Sequence, residues 1–210
     1  HYSLAHYGIN EFLRAYRSAL ENYKINVNDF NINYRPKTDN YQKKIYEIKR
    51  IFKYKLSYAD SRRVLLFVYK NLFAKDFPEA MKIMHLTSKQ IKEILDLGHN
   101  IGSHTHSHPS IASASLSSED LRKEMFYPKE YLERTFYTKV DAFSYPFGEK
   151  QDYAGSEQLL RAVSAYKLAF TVDRFLNTPE VSPFRLGRYS VYSTDTAEKL
   201  ISDLKALAQV

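Results

Sequence analysis

The chain has no cysteine and no tryptophan, few glycines and prolines, and no long apolar run. Without cysteine there is no disulfide framework, no thiol nucleophile and no cysteine-ligated zinc. Six glycines and seven prolines in 210 residues exclude a collagen-like repeat or a flexible linker. The longest apolar run, Val64–Tyr69, is six residues; a membrane-spanning helix needs roughly 20. No transmembrane segment is therefore expected. Residues 1–80 also lack a Gly-rich phosphate loop and a nucleic-acid motif. The chain opens on His1 rather than methionine, with no basic-then-apolar leader, and reads as a fragment or processed form with residues expected upstream.

What is present suffices for a real core: 44% of residues are hydrophobic and 26% charged, which fits one domain or one domain with a large insertion. The net charge of +7 is uneven. Residues 1–80 hold 15 Lys/Arg against 8 Asp/Glu, whereas residues 81–210 balance at 16 each. A basic face suits an anionic glycan, a lipid surface or nucleic acid, but a solvated helical surface is the preferred explanation. A nucleic-acid role would rest on charge alone, so no such partner is expected.

Residues 1–85 read as a basic helical segment. Phe12, Leu13, Tyr16, Leu20 and Tyr23 recur at helical spacing, as do Ile45, Ile48, Phe52 and Leu56. Ala59–Lys75 is a third helix, with Val64, Leu65, Val68 and Leu72 on one stripe, and Asn26–Asn40 reads as a loop. Residues 86–210 alternate. Thr87 and Gln90 form a capping box, and Gly98 stops that helix. Strands are expected at Asn100–Thr105, Val140–Tyr145, Lys167–Thr171 and Arg185–Val191. Between and after them lie helices from Ser117 toward Phe136, with a break near Pro128, at Ser156–Ala165, and at Asp195–Ala208. In the last, Leu200, Ile201, Leu204 and Leu207 form a stripe. Alternation of this kind predicts parallel strands with crossover helices, an α/β class.

The chemistry concentrates in Gly98–Pro109, which holds four of the seven histidines. Imidazole is a good zinc ligand, and a catalytic zinc takes about three protein ligands plus an open position. His104 and His108 share a face on a turn or helix; His104 and His106 would share one on a strand. A polar loop that merely carries histidine is the competing reading. Three histidines in five residues at a strand end favour a metal site. The segment Phe143-Ser144-Tyr145-Pro146-Phe147-Gly148 is a strand entering a turn that can present a backbone N–H to an oxyanion. Core packing accounts for it as well. Arg185 and Arg188 could grip an anionic or hydroxyl-rich ligand, or lie on a strand edge.

The string from Gly98 to Ser110 resembles the His-[Ser/Thr]-x-x-His motif of the polysaccharide deacetylases, carbohydrate esterase family 4. The Tyr-Pro-Phe-Gly exit about 40 residues on, and the late Arg-Leu-Gly-Arg strand, follow in the family's order. The resemblance covers residues 86–208 and implies a distorted, incomplete (β/α) barrel, with residues 1–85 as an insertion. It implies a hydrolase of carbon–nitrogen amide bonds that removes N-acetyl groups from an envelope or capsular polysaccharide or its precursor. A divalent metal, Zn2+ above all, would be held by His104 and His108, with His106 on a variable position. The Phe147 backbone N–H would be the oxyanion donor, and Tyr145, Pro146, Leu186 and Arg188 the substrate contacts. The family's Thr-Phe-Asp-Asp-Gly motif does not occur in this chain. Its general-base Asp is expected upstream of His1. The alternative is a degenerate, non-catalytic glycan-binding module, and a third reading makes residues 1–80 a helical interaction module. Ser144 stands where the family carries an arginine, and Arg188 where it carries a histidine. Asp173 could reach the same rim, whereas Asp141 should face the opposite end. The family's habits favour the cell envelope, with cytoplasmic action on a precursor also open; oligomeric state is not indicated.

Overall fold

The structure, a computed structural model, describes residues 2–26, 39–79, 85–163 and 166–208. Two compact units emerge, His1–Leu97 and Gly98–Val210. The loop expected over Asn26–Asn40 lies largely outside the described residues.

The first unit is helical. Helix α1 (Tyr2–Tyr23) is interrupted at Gly8, where φ is 77°. Helix α2 (Tyr41–Tyr54) starts at Asn40, whose side chain accepts from the Lys43 N–H at 3.0 Å. Helix α3 (Tyr58–Val68) starts at Ser57 in the same manner and runs on through a π turn, Tyr69–Phe73. Their apolar stripes meet in one core of Ile9, Phe12, Leu13, Tyr16, Ile48, Ile51, Val64 and Val68. The Phe52 ring meets Phe12 and Tyr16 edge-on at 6.0 and 5.6 Å. Burial there pushes the Tyr16 hydroxyl up to about 12. Leu65 departs from its expected stripe and is exposed: one residue beyond Val64, a helix has turned about 100° away from the core. Helix α4 (Ser88–Asp96) groups with this unit. It carries the expected Thr87–Gln90 capping box and ends at Gly98 in the left-handed region, φ 84°.

The second unit is built on short parallel segments. Strand β1 (Ala142–Ser144) pairs in parallel with β2 (Leu168–Phe170). Single parallel bridges extend the sheet to Ser103 on one side and Leu186 on the other. Among the described residues the sheet stays open, so the expected barrel is represented by one parallel arc. Two expected strands shrink to these bridges for visible reasons. Two residues beyond Ser103, Thr105 turns into the left-handed region at φ 65°, which no strand residue adopts. Beyond Leu186, the Asn177 amide replaces a strand partner: it accepts from Gly187 N–H at 2.8 Å and donates to its carbonyl at 3.1 Å.

Helices flank this arc. Helix α5 (Ser118–Leu121) passes through a π turn (Arg122–Phe126) into α6 (Tyr127–Phe136). The break expected near Pro128 is therefore a π turn instead. Proline has no N–H for the carbonyl four residues back, and here that carbonyl is Glu124's. The helix widens ahead of the proline and continues. Helices α7 (Lys150–Tyr153) and α8 (Ser156–Val163) follow β1, and α9 (Ala197–Leu207) comes last. The α9 stripe expected to be buried is not: Ile201 and Leu204 are exposed. No helix among the described residues is long and apolar enough to cross a membrane.

The core of this unit gathers Met125, Val140, Phe143, Tyr145, Tyr153, Leu160, Tyr166 and Ala169. Leu160 is completely buried. Leu160→Ala is expected to cost about 2–5 kcal/mol through lost transfer energy and a residual cavity, read as a lower urea midpoint at unchanged slope. An unchanged midpoint would mean that α8 does not seal this core.

Candidate active site

The C-terminal ends of four parallel segments face one rim in the connectivity. Ser103 leads into the histidine loop, Ser144 into the Phe147 turn, Phe170 into Asp173, and Leu186 into Arg188. This end of parallel strands is where α/β folds collect ligand-binding loops. The backbone links are specific: Ser103 N–H donates to the Ala142 carbonyl and Ser144 N–H to the Ser103 carbonyl, each at 2.9 Å.

The histidine loop brings His104 and His108 together, with ring centroids 4.7 Å apart at 77°. Both residues are exposed. His104 Nδ1 lies 2.7 Å from the Ser144 carbonyl oxygen. A carbonyl only accepts, so Nδ1 carries a proton, which selects the tautomer whose lone pair is on Nε2. His108 sits in the left-handed region, φ 64°, as does Thr105, φ 65°. Each such non-glycine residue costs about 1–2 kcal/mol, and strain of this kind persists where neighbours over-determine the backbone. One restraint is local: the Thr105 hydroxyl accepts from the His108 N–H at 3.0 Å. His106 diverges from the pair, its ring edge-on to Tyr127 at 5.9 Å.

The turn after β1 completes the neighbourhood. Gly148 N–H donates to the Pro146 carbonyl at 2.7 Å, closing a tight turn around Phe147, itself left-handed at φ 64°. The Phe147 ring meets His108 edge-on at 4.6 Å and 90°. Tyr145 and Pro146 are fully buried. The Tyr145 hydroxyl donates to the Phe184 carbonyl at 2.9 Å, and burial raises its pKa. These two side chains are thus core supports of the turn in this structure, away from solvent. Arg188 is exposed; its Nε donates to the Thr171 carbonyl at 2.6 Å, while Leu186 is half-buried in its bridge to Phe170. Asp173 accepts from the Tyr153 hydroxyl and stands 4.0 Å from Arg185 Nε. Burial, then that bond to Asp173, raises the Tyr153 pKa. Asp141 precedes β1, at the end opposite the rim, and pairs with Lys167 at 2.6 Å. The hydrogen bond from Lys167 holds its carboxyl below the usual range.

The pair could hold a metal ion as two of its ligands. A carbonyl fixing the far ring nitrogen is the usual outer support of a ligating imidazole. Among the described residues, however, no group of three or more His, Cys, Asp or Glu gathers to hold an ion. Beside this pair of imidazoles the described residues offer no third donor.

Sequence reasoning missed Glu124. It is fully buried, and its carboxylate accepts from His106 N–H at 3.0 Å, Ser107 N–H at 2.7 Å and the Ser107 hydroxyl at 2.6 Å. The only signal in the sequence was Pro128 four residues on, which announced a helix irregularity without its direction.

A family model described as Polysaccharide deacetylase matches residues 7–166, a span that takes in most of the first-unit helices and the histidine loop and stops short of Leu186 and Arg188. Among solved structures, the Streptococcus pyogenes deacetylase PplD in complex with acetate is similar at 26% identity and TM-score 0.51, over 57% of this chain and 50% of that one. A polysaccharide deacetylase from Bacillus cereus is similar at 26% identity and TM-score 0.47, over 57% of this chain and 36% of that one. The chain thus spans half the length of the first and about a third of the second. No curated protein sequence gives a significant match.

Proposed function

The chain belongs to the polysaccharide deacetylase family, and from that premise we propose that it is the histidine-bearing part of a carbohydrate deacetylase. The reaction is hydrolysis of the N-acetyl amide on an envelope or capsular polysaccharide or its precursor, with release of acetate. The observation that carries this reading is the His104–His108 pair, with the His104 ring fixed by the Ser144 carbonyl so that Nε2 offers its lone pair. A bound divalent metal, Zn2+ in this reading, polarises an acetyl carbonyl and acidifies a water. His104 and His108 supply two of its ligands. The Phe147 backbone N–H is the proposed oxyanion donor, on a turn braced by the buried Tyr145 and Pro146. Leu186 and Arg188 are the proposed substrate contacts on the rim. The general base and the remaining ligand are carboxylates expected upstream of His1. The proposed setting is the cell envelope, where the polymer is met.

The test is acetate release by the full-length protein from N-acetylglucosamine oligomers, before and after dialysis against a chelator. Release that is lost on chelation and restored by Zn2+ is expected. No acetate from any N-acetylated oligosaccharide, with the fold intact, would overturn the reading. One observation favours the second reading, a non-catalytic glycan-binding module: among the described residues no third donor joins the pair. That reading predicts oligosaccharide binding without acetate.

A further inference from the structure

We propose that Glu124 is a positioning residue that sets the conformation of the histidine loop, and through it the geometry of His104 and His108. Three observations converge. Glu124 lies within the π turn Arg122–Phe126, closed by the Tyr127 N–H on the Arg122 carbonyl. A π turn holds one residue more than an α turn and re-aims the side chains within it, which is why such turns recur at functional sites. Pro128, unable to serve the Glu124 carbonyl, gives the local cause.

Next, the carboxylate is fully buried and accepts hydrogen bonds from the two residues midway between His104 and His108. One oxygen takes both backbone N–H groups, of His106 and Ser107; the other takes the Ser107 hydroxyl. Bonds with a carboxylate acceptor are stronger than neutral ones. Last, the loop needs an external restraint, because Thr105 and His108 on either side of this contact are both left-handed. A backbone drawn onto a buried anchor at its middle, with uphill dihedrals flanking it, holds its conformation through that anchor. The effect of Glu124 on the imidazoles passes through the backbone of residues 106 and 107.

The activity arm of the test rests on the deacetylase reading; the spectroscopic arm does not. Full-length protein is labelled with 15N, and the ring signals of His104 and His108 are read in a long-range 1H–15N spectrum. Glu124→Leu is expected to shift both sets of ring signals and leave those of His85 and His99 in place. It should lower kcat for acetate release about 10²-fold, the scale of a small misplacement of catalytic groups, with KM within about twofold. Glu124→Gln keeps an oxygen for the two N–H donors, and its amide can donate to the Ser107 hydroxyl. It should restore the native ring signals and most of kcat. If Glu124→Leu does not fold, Ser107→Ala removes a single bond and should displace the same signals by less. Unmoved ring signals in a folded Glu124→Leu variant, or in Ser107→Ala where the leucine variant does not fold, would overturn the proposal. Moved signals in a protein that releases no acetate would support it and sink the deacetylase reading alone.

Discussion

Alanine at His104 or His108 is expected to lower acetate release by about 10³-fold, while the protein stays folded. The magnitude follows from the proposed role: losing one ligand of a carbonyl-polarising metal would remove several kcal/mol of transition-state stabilisation, and about 4 kcal/mol is 10³-fold. The retained fold follows from position. Both residues are exposed and belong to neither hydrophobic core. His104→Ala should change stability by no more than about 0.5 kcal/mol. His108→Ala should cost somewhat more, because alanine tolerates φ 64° less well than histidine. Metal content by elemental mass spectrometry should fall in step with activity. Both folded variants keeping native rates would remove His104 and His108 from the chemistry. A change at His106 should do little, since its ring packs on Tyr127 away from the pair.

Gly148→Ala should carry the second large effect, a loss of about 2–4 kcal/mol, with activity impaired as well. Its backbone is left-handed at φ 74°, which costs an alanine about 1–2 kcal/mol. In addition, a Cβ there would stand 2.9 Å from the Val172 amide nitrogen and 2.9 Å from Val172 Cγ1. The side chain can yield, whereas the amide is held: Val172 N–H donates to the Gly148 carbonyl at 3.0 Å. Relief therefore has to come from the turn itself. That turn carries Phe147 against His108, so a strained turn disturbs the site. Gly155 supplies the control, with φ 78° and nothing within 4 Å of where a Cβ would stand. Gly155→Ala should lose only the conformational cost. Equal urea midpoints for the two variants would show that the close approach to Val172 is not what keeps glycine at 148.

Much of the local structure was legible because its causes are local. The Thr87–Gln90 capping box, the Gly98 stop and the stripes of α1 and α2 follow from side-chain chemistry within a turn or two. The segments β1 and β2 read correctly as short apolar strands, since both are buried on their central residue. Failures came where a distant partner decides. Leu65, Ile201 and Leu204 carry apolar periodicity yet lie exposed; periodicity gives a face and says nothing of what covers it. The strands expected through Thr105 and Val191 end early because Thr105 turns left-handed and Asn177 captures Gly187.

The sequence by itself determined the chemistry on offer: no thiols, a cluster of imidazoles after a glycine, and a proline–phenylalanine–glycine turn downstream. Spacing left two pairs open, His104 with His108 on a turn or His104 with His106 on a strand, and the resemblance to the family motif pointed to the first. Only the tertiary structure decided which ring nitrogen is left open, since the Ser144 carbonyl lies 40 residues away in sequence. It alone set Phe147 on His108, buried Tyr145 and Pro146 beneath the turn, and brought the buried Glu124 carboxylate onto the Ser107 N–H. The physical reason is common to all three. Hydrogen bonds and burial across parallel segments depend on register between strands and on the pitch of a helix, and neither is written within the reach of a few neighbouring residues.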